Sequence, residues 1–458
     1  MIRIHAASAL LPRGWVADVR LVLRDGRLAE IDAGVAAEAG DERHAIVMPG
    51  MPNVHSHAHQ RAMAGRAERR GPGTDDFWTW REAMYRSALA ITPEDFETTS
   101  AYLFAEMLQA GFTHVGEFHY LHNDPAGRPY ADRAEMSRRV LAAARRAGIR
   151  ITLLPVHYAR AGFDGAPAGP RQRRFTTDVD GYARLVETLR ADVAGAGDGA
   201  VIGVAPHSLR AVTPAELREV IAIAGDAPLH VHVAEQLREV QECIASRGAR
   251  PVQWLLDHAP VGAGWCLVHA THMEPSESRR VAASGAVVGV CPITEANLGD
   301  GVLDVRAYID AGGRFGIGTD SNVQIGVADE LRQMEYAQRL LHRRRNVLAA
   351  PGASCGRELL GRALAGGHAA LAAGAVARGA PAGIQVGAPG DLVALRPSDP
   401  LARGRVGDDV LDAWIFAGSR CVDAVWVGGR RVVADGRHLL RESLEREFAA
   451  VVQRVGRD

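Results

Sequence analysis

PGMPNVHSHAHQRAMAG, residues 49–65, is the stretch from which the fold can be read. Ile46, Val47 and Met48 lead into it, and together they predict a strand over 46–55 that carries His55 and His57 to its end. Side chains two apart on a strand point the same way. Both imidazoles can therefore reach one metal ion from one strand end. A His-x-His pair alone says little. Here it is followed, in chain order, by His232 with Glu235, then His269, then Asp320, each just after a short apolar, strand-like run.

The 458 residues are too many for one ordinary domain and suit a large barrel with a smaller module. Hydrophobic residues make up 47% of the chain, enough for a sizeable core, and the net charge is −1. With no basic stripe, nucleic acid and anionic membrane are excluded as main partners. No apolar run approaches the roughly 18 residues of a membrane span. The N-terminus carries Arg3 and only a short apolar stretch, so no signal peptide is expected. Five scattered cysteines without a CxxC read as reduced thiols of a cytoplasmic protein. There is no lysine, so all 53 basic residues are arginine. That excludes Schiff-base chemistry and any two-metal centre bridged by a carbamylated lysine.

Outward from the histidine stretch, the chain alternates strand and helix. Strands are predicted at 46–55, 113–118, 150–155, 201–205, 228–233, 265–270, 286–290 and 314–319. Helices are predicted at 94–110, 130–147, 214–225, 274–283 and 327–345, two of them opened by cap-like Thr92-Pro93 and Thr213-Pro214. Eight strands with helical crossovers spell an α/β (β/α)8 TIM-type barrel, whose chemistry sits at the C-terminal strand ends. LVLR (21–24), Asp25-Gly26 and RLAEI (27–31) form a hairpin signal, and DLVAL (391–395), AVWVGG (424–429) and RRVVADG (430–436) repeat the style. Both ends are expected to meet in one small β-sandwich, composed of 1–48 and 385–458, with the barrel over 49–384. Residues 156–178, rich in Gly, Pro and Arg, read as a loop over the barrel mouth.

Three neutral imidazoles and one carboxylate suit Zn²⁺, with Fe²⁺ as the alternative. His55, His57, His232 and Asp320 are the candidate ligands. His230 shares a face with His232, but His232 lies nearer the mouth. A metal in this position lowers the pKa of a bound water towards neutrality. Glu235 could then carry a proton from water to a leaving nitrogen, His269 could orient the nucleophile or stabilise oxyanion charge, and Asp320 could accept the first proton. That division of labour suits addition of water to a C=N carbon followed by loss of ammonia.

The HxH, HxxE, His and Asp series resembles the amidohydrolase superfamily in its single-metal deaminase branch. DDFWTWREAMY (75–85), EFHYLHND (117–124), APHSLRAVT (205–213), HVHVAEQ (230–236), VHATHM (268–273) and GTDSNV (318–323), with the opening stretch, are similar to the N-formimino-L-glutamate deiminases of bacterial histidine degradation. The resemblance spans nearly the whole chain. It implies hydrolysis of N-formimino-L-glutamate to N-formyl-L-glutamate and ammonia, one Zn²⁺, a cytoplasmic location and often a homodimer. It implies Glu235, His269 and Asp320 as catalytic residues, and Gln60, Arg81, Tyr120, His207 and Arg210 as substrate contacts. His59 departs from the family, where an apolar residue, often Phe, is expected.

The substrate is a small dicarboxylate with a cationic formimino group, and arginine can grip a carboxylate through two parallel hydrogen bonds. Arg81 and Arg210 could each hold one carboxylate. The alternative reading is an aminohydrolase of a purine-type heterocycle, guanine or a relative, on the same scaffold.

Overall fold

The computed structural model describes residues 1–371, 383–396, 400, 403–418 and 421–455. The expected boundary at 384/385 follows residues 372–382, which lie outside the described residues.

The first four strands are β1 (Ile2–Leu11), β2 (Gly14–Arg24), β3 (Arg27–Ala33) and β4 (Glu42–Pro49). Asp25 and Gly26 both have positive φ, 49° and 78°, the backbone of the primed turn that matches strand twist. The barrel follows with β5 (Met51–Ser56), β6 (Phe112–His119), β7 (Arg150–His157), the short pair β8 (Val201–Ile202) and β9 (Ala205–Pro206), β10 (Leu229–Val233), β11 (Trp265–His269), β12 (Val287–Val290) and β13 (Arg314–Ile317). The chain ends in β14 (Leu392–Leu395), β15 (Val422–Val427), β16 (Arg430–Ala434), β17 (Arg437–His438) and a helix over Arg441–Val455.

β5 to β8 and β10 to β13 form two parallel runs. Parallel bridges at Val204–Leu229 and Ser208–His232 join them on one side. On the other, Ser56 bridges Asp320, and the Thr319 and Asp320 N–H groups donate to the His55 carbonyl. The result is a closed (β/α)8 barrel, and its closure lies at the histidine stretch itself. Val54, Cys266, Val268, Val287 and Cys291 fill a cluster of their own, together with Ala370 of the helix Cys355–Leu371.

The predicted strand 46–55 is two strands. Ile46, Val47 and Met48 belong to β4, which pairs with β1 and with β14, so the two chain ends meet in one eight-stranded sheet. Ile4, Leu21, Val47, Leu392 and Trp426 bury a second, small core against this sheet. Gly50 makes the break: a Cβ there would stand 2.3 Å from Thr113 side-chain atoms. The predicted strand 201–205 is likewise split into β8 and β9, at Gly203, where a Cβ would meet Leu154 and the Pro228 carbonyl. The expected helices are present with shifted ends, the largest shift being 130–147, which is helical only over Glu135–Ala147. Of 156–178, the first two residues belong to β7, and the rest packs as a roof with Arg174 fully buried on the carbonyls of Asn123, Ala88 and Ile91.

Candidate active site

The candidate ligands and His269 leave the C-terminal ends of barrel strands. His55 lies in β5 and His57 one residue beyond it, His232 in β10, His269 at the end of β11, and Asp320 just after β13. These ends are strained. Ala234, His269, Ala270, Asp320 and Asn322 are five of the ten described non-glycine residues with positive φ. Such backbone persists only where the surroundings over-determine it. Here they do. Asn53 Nδ2 donates to Thr319 Oγ1, Thr319 N donates to Asn53 Oδ1, and Asn322 Nδ2 donates to the carbonyls of His57 and Asp320.

Four donors converge. His55 Nε2 is 3.2 Å from His57 Nε2, 3.0 Å from His232 Nε2 and 3.3 Å from Asp320 Oδ1, and His57 Nε2 is 3.2 Å from the same oxygen. All four residues are buried. His57 Nδ1 faces the Phe118 carbonyl at 2.9 Å, and His232 Nδ1 faces the His207 carbonyl at 3.0 Å. A carbonyl only accepts, so these Nδ1 atoms donate and the Nε2 atoms of the neutral rings carry bare lone pairs. Lone pairs aimed at one another repel, whereas a divalent cation between them satisfies all at once. Burial pushes His55 down to about 3, so it stays neutral and able to ligate. Burial pushes the Asp320 carboxyl up, but the His55 and His57 imidazoles outweigh it and hold it well below the usual carboxylate range. The set fits a divalent metal ion by donor type, protonation and spacing, with all four ligand atoms within 4.8 Å of one another.

Beside this cluster stand the proton-handling candidates. His269 Nε2 is 3.7 Å from Glu235 Oε1 and 3.8 Å from Asp320 Oδ2. Burial opposes charge on His269, yet the carboxylates of Glu235, Glu295 and Asp320 raise it to about 10. Burial raises Glu235, although His269 and Arg210 pull it back. Arg210 stands 3.7 Å from Glu235 and 3.9 Å from Glu239, too far for hydrogen bonds.

One cavity of about 60 Å³ contains His57, His232, Glu235, Asp320 and all five expected substrate contacts. Gln60 Nε2 donates to Tyr120 Oη at 2.7 Å, which leaves Gln60 Oε1 buried without a partner. The Nε groups of Arg81 and Arg210 are also buried and unpartnered. His230 turns away, with Nε2 on the Ala370 carbonyl at 2.9 Å, so His232 is the histidine of β10 that joins the cluster. His59 lies in a short 3₁₀ turn, Ala58–Met63, outside the donor set. Its ring sits 4.9 Å from Tyr120 and 6.4 Å from Phe96, and its Nε2 has no partner.

Two carboxylates escape the sequence reading. Glu295 Oε1 accepts from His269 Nδ1 at 3.2 Å and from the Cys291 N–H at 2.8 Å. Glu239 accepts the N–H groups of Ala234 and Glu235 and so fixes the loop that carries Glu235. Both sit in the first turns of helices, where acidic residues are ordinary, so nothing in their spacing sets them apart.

Comparison with known proteins accords with this geometry. A model of the amidohydrolase family matches residues 46–432. The chain belongs to the amidohydrolase family. A second model, described as the N-terminal domain of formimidoylglutamate deiminase HutF, matches residues 1–45. A formimidoylglutamate deiminase of Pseudomonas aeruginosa is 48% identical over 99% of this chain and 99% of its own. The crystal structure of an amidohydrolase from Brucella melitensis superposes with a TM-score of 0.95 at 53% identity, covering 99% of this chain and 100% of that one. A 5-methylthioadenosine/S-adenosylhomocysteine deaminase of Natronomonas pharaonis is 29% identical over 80% of this chain and 79% of its own. Amidohydrolases use a divalent metal, and the four-donor cluster is capable of holding one.

Proposed function

We propose that this chain hydrolyses N-formimino-L-glutamate to N-formyl-L-glutamate and ammonia in histidine degradation. The observation that carries the reading is the end-to-end similarity to the Pseudomonas aeruginosa formimidoylglutamate deiminase, N-terminal region included. Relatives that act on heterocycles are far more distant.

His55, His57, His232 and Asp320 would hold a divalent metal, Zn²⁺ or alternatively Fe²⁺, which would supply the Lewis acidity that makes water a nucleophile near neutral pH. Asp320, kept ionised, takes the first proton of the attacking water. His269, oriented by Glu295, faces the oxygen on which negative charge develops. Glu235 carries a proton to the departing nitrogen. A C–O bond forms at the formimino carbon, the bond to the terminal nitrogen breaks, and that nitrogen leaves as ammonia. Arg81 and Arg210 pair with the two carboxylates. Gln60 Oε1 can accept from the amidinium, while Tyr120 and His207 wall the pocket.

The reading includes a cytoplasmic homodimer, barrel residues 49–384 and a β unit of 1–48 and 385–458. Five buried free cysteines suit a reducing compartment, and among the described residues no helix is long and apolar enough to cross a membrane. Ammonia release from formiminoglutamate, formamidine and guanine, measured on protein of known metal content, tests the reaction. Formiminoglutamate should be preferred by a wide margin; equal or better use of guanine defeats the proposal.

A further inference from the structure

Trp78 lies in the first turn of the helix Phe77–Ala90, which roofs the cavity. The Asp76 side chain caps that helix and accepts from the N–H of Trp78 at 2.9 Å, which fixes where the indole begins. Three guanidinium groups gather on this one ring. Arg81 Cζ stands 4.4 Å from its centroid, Arg238 Cζ also 4.4 Å, and Arg210 Cζ 5.7 Å. Arg81 belongs to the roof helix, Arg210 follows β9, and Arg238 lies in the helix Leu237–Arg247, three residues after Glu235. One side chain thus links the roof to two separate segments of the barrel mouth.

Guanidinium groups this close repel one another. Arg238 is relieved by Glu242 at 2.7 Å, and Arg210 faces Glu235 and Glu239. Arg81 rests on the π faces of Trp78 and Tyr85, the second at 5.4 Å, and its buried Nε lacks a partner. The negative face of an aromatic ring attracts a cation without using up its hydrogen-bond donors. Arg81 is therefore held in place while its N–H groups stay free for an incoming anion.

We infer that Trp78 is a positioning residue of the substrate clamp: its indole aligns Arg81 beside Arg210 and ties the roof helix to the segment after Glu235, which selects dicarboxylates over amidines that carry no carboxylate. This rests on the formiminoglutamate reading above.

The test compares wild type with Trp78→Leu, Trp78→Phe and Arg238→Met on formiminoglutamate and on formamidine. In Trp78→Leu, KM for formiminoglutamate should rise about tenfold with a much smaller change in kcat, the scale expected for loss of cation–π alignment. Selectivity for formiminoglutamate over formamidine should fall by a similar factor. Trp78→Phe should restore part of it, and Arg238→Met, at an exposed side chain, should reproduce part of the loss should Trp78→Leu fail to fold. Parallel losses on both substrates, or an unchanged KM, overturn the inference while leaving the function intact. Wild type without formiminoglutamate turnover overturns the functional reading, and the inference with it.

Discussion

Two aspartates of this protein sit among side-chain nitrogens and serve opposite ends. Asp41, at the N-terminal sheet, accepts from Arg3 Nε at 2.7 Å, Arg20 Nε at 3.1 Å and the Glu38 N–H at 2.8 Å. Every acceptor there meets a donor. Asp320 lies 3.2–3.3 Å from two imidazole nitrogens and 3.8 Å from a third, amid rings whose lone pairs face one another. Around it, Gln60 Oε1, Arg81 Nε, Arg210 Nε and His269 Nε2 are buried without hydrogen-bond partners. Buried polar groups are normally satisfied. A completed network pins structure, whereas incomplete ones gathered on one cavity mark the candidate site.

The largest expected effect is loss of the metal. Stripping it with a chelator should abolish ammonia release and lower the melting temperature, and Zn²⁺ should restore both. A ligand at a hundred times its Kd stabilises by about 2.7 kcal/mol. His232→Ala should not recover on adding metal. Full activity in protein shown metal-free by elemental analysis would refute the assignment of the cluster. Next in size is Glu235→Gln, which keeps the shape and all four ligands. Turnover should fall by ~10² or more, the usual scale for a lost general acid–base, with metal content unchanged. A metal-loaded Glu235→Gln enzyme that keeps its rate removes Glu235 from proton transfer.

Much of this site could be read from residue order because strand ends are local: a His or Asp after a short apolar run already states where it will point. The closure of the barrel between Ser56 and Asp320 could be anticipated from eight alternating units. What could not be read depends on approaches between distant segments. Ile46–Met48 run without interruption into the histidine stretch, yet they pair with β1 and β14 in the other sheet, with the break at Gly50 beside Thr113. Glu295 looks like any carboxylate in a first helical turn until β12 sets it beside His269. Trp78 looks like a packed aromatic until two other segments bring Arg210 and Arg238 to its ring. His59 would share the face of His55 and His57 only if the strand continued, and β5 ends at Ser56.

A third variant sharpens the contrast between charge that binds and charge that braces. Arg210→Met deletes a buried guanidinium whose Nε is unpartnered. A charge-assisted hydrogen bond is worth about 1.5–3 kcal/mol, so kcat/KM for formiminoglutamate should fall roughly 10–100-fold. Formamidine, without carboxylates, should lose much less. Equal losses would mean that Arg210 acts through Glu235 and Glu239 rather than on substrate.

The smallest effect belongs to the satisfied network. The Glu38 N–H, aided by Arg3 and Arg20, holds Asp41 down to about 2, below its ordinary 3.8. A depressed carboxyl contributes stability above its unfolded pKa and loses it as pH falls through its folded one. Asp41→Asn should therefore lower the denaturation midpoint modestly near pH 7, and the gap to wild type should narrow as pH drops from about 4 towards 2. Salt should shrink it as well, since the surrounding arginines are partly exposed. Ammonia release at pH 7 should stay as in wild type, because Asp41 braces a sheet and touches none of the mouth residues. A loss of turnover in Asp41→Asn would show that the N-terminal sheet shapes the site, and the division between bracing and reacting charge would fail.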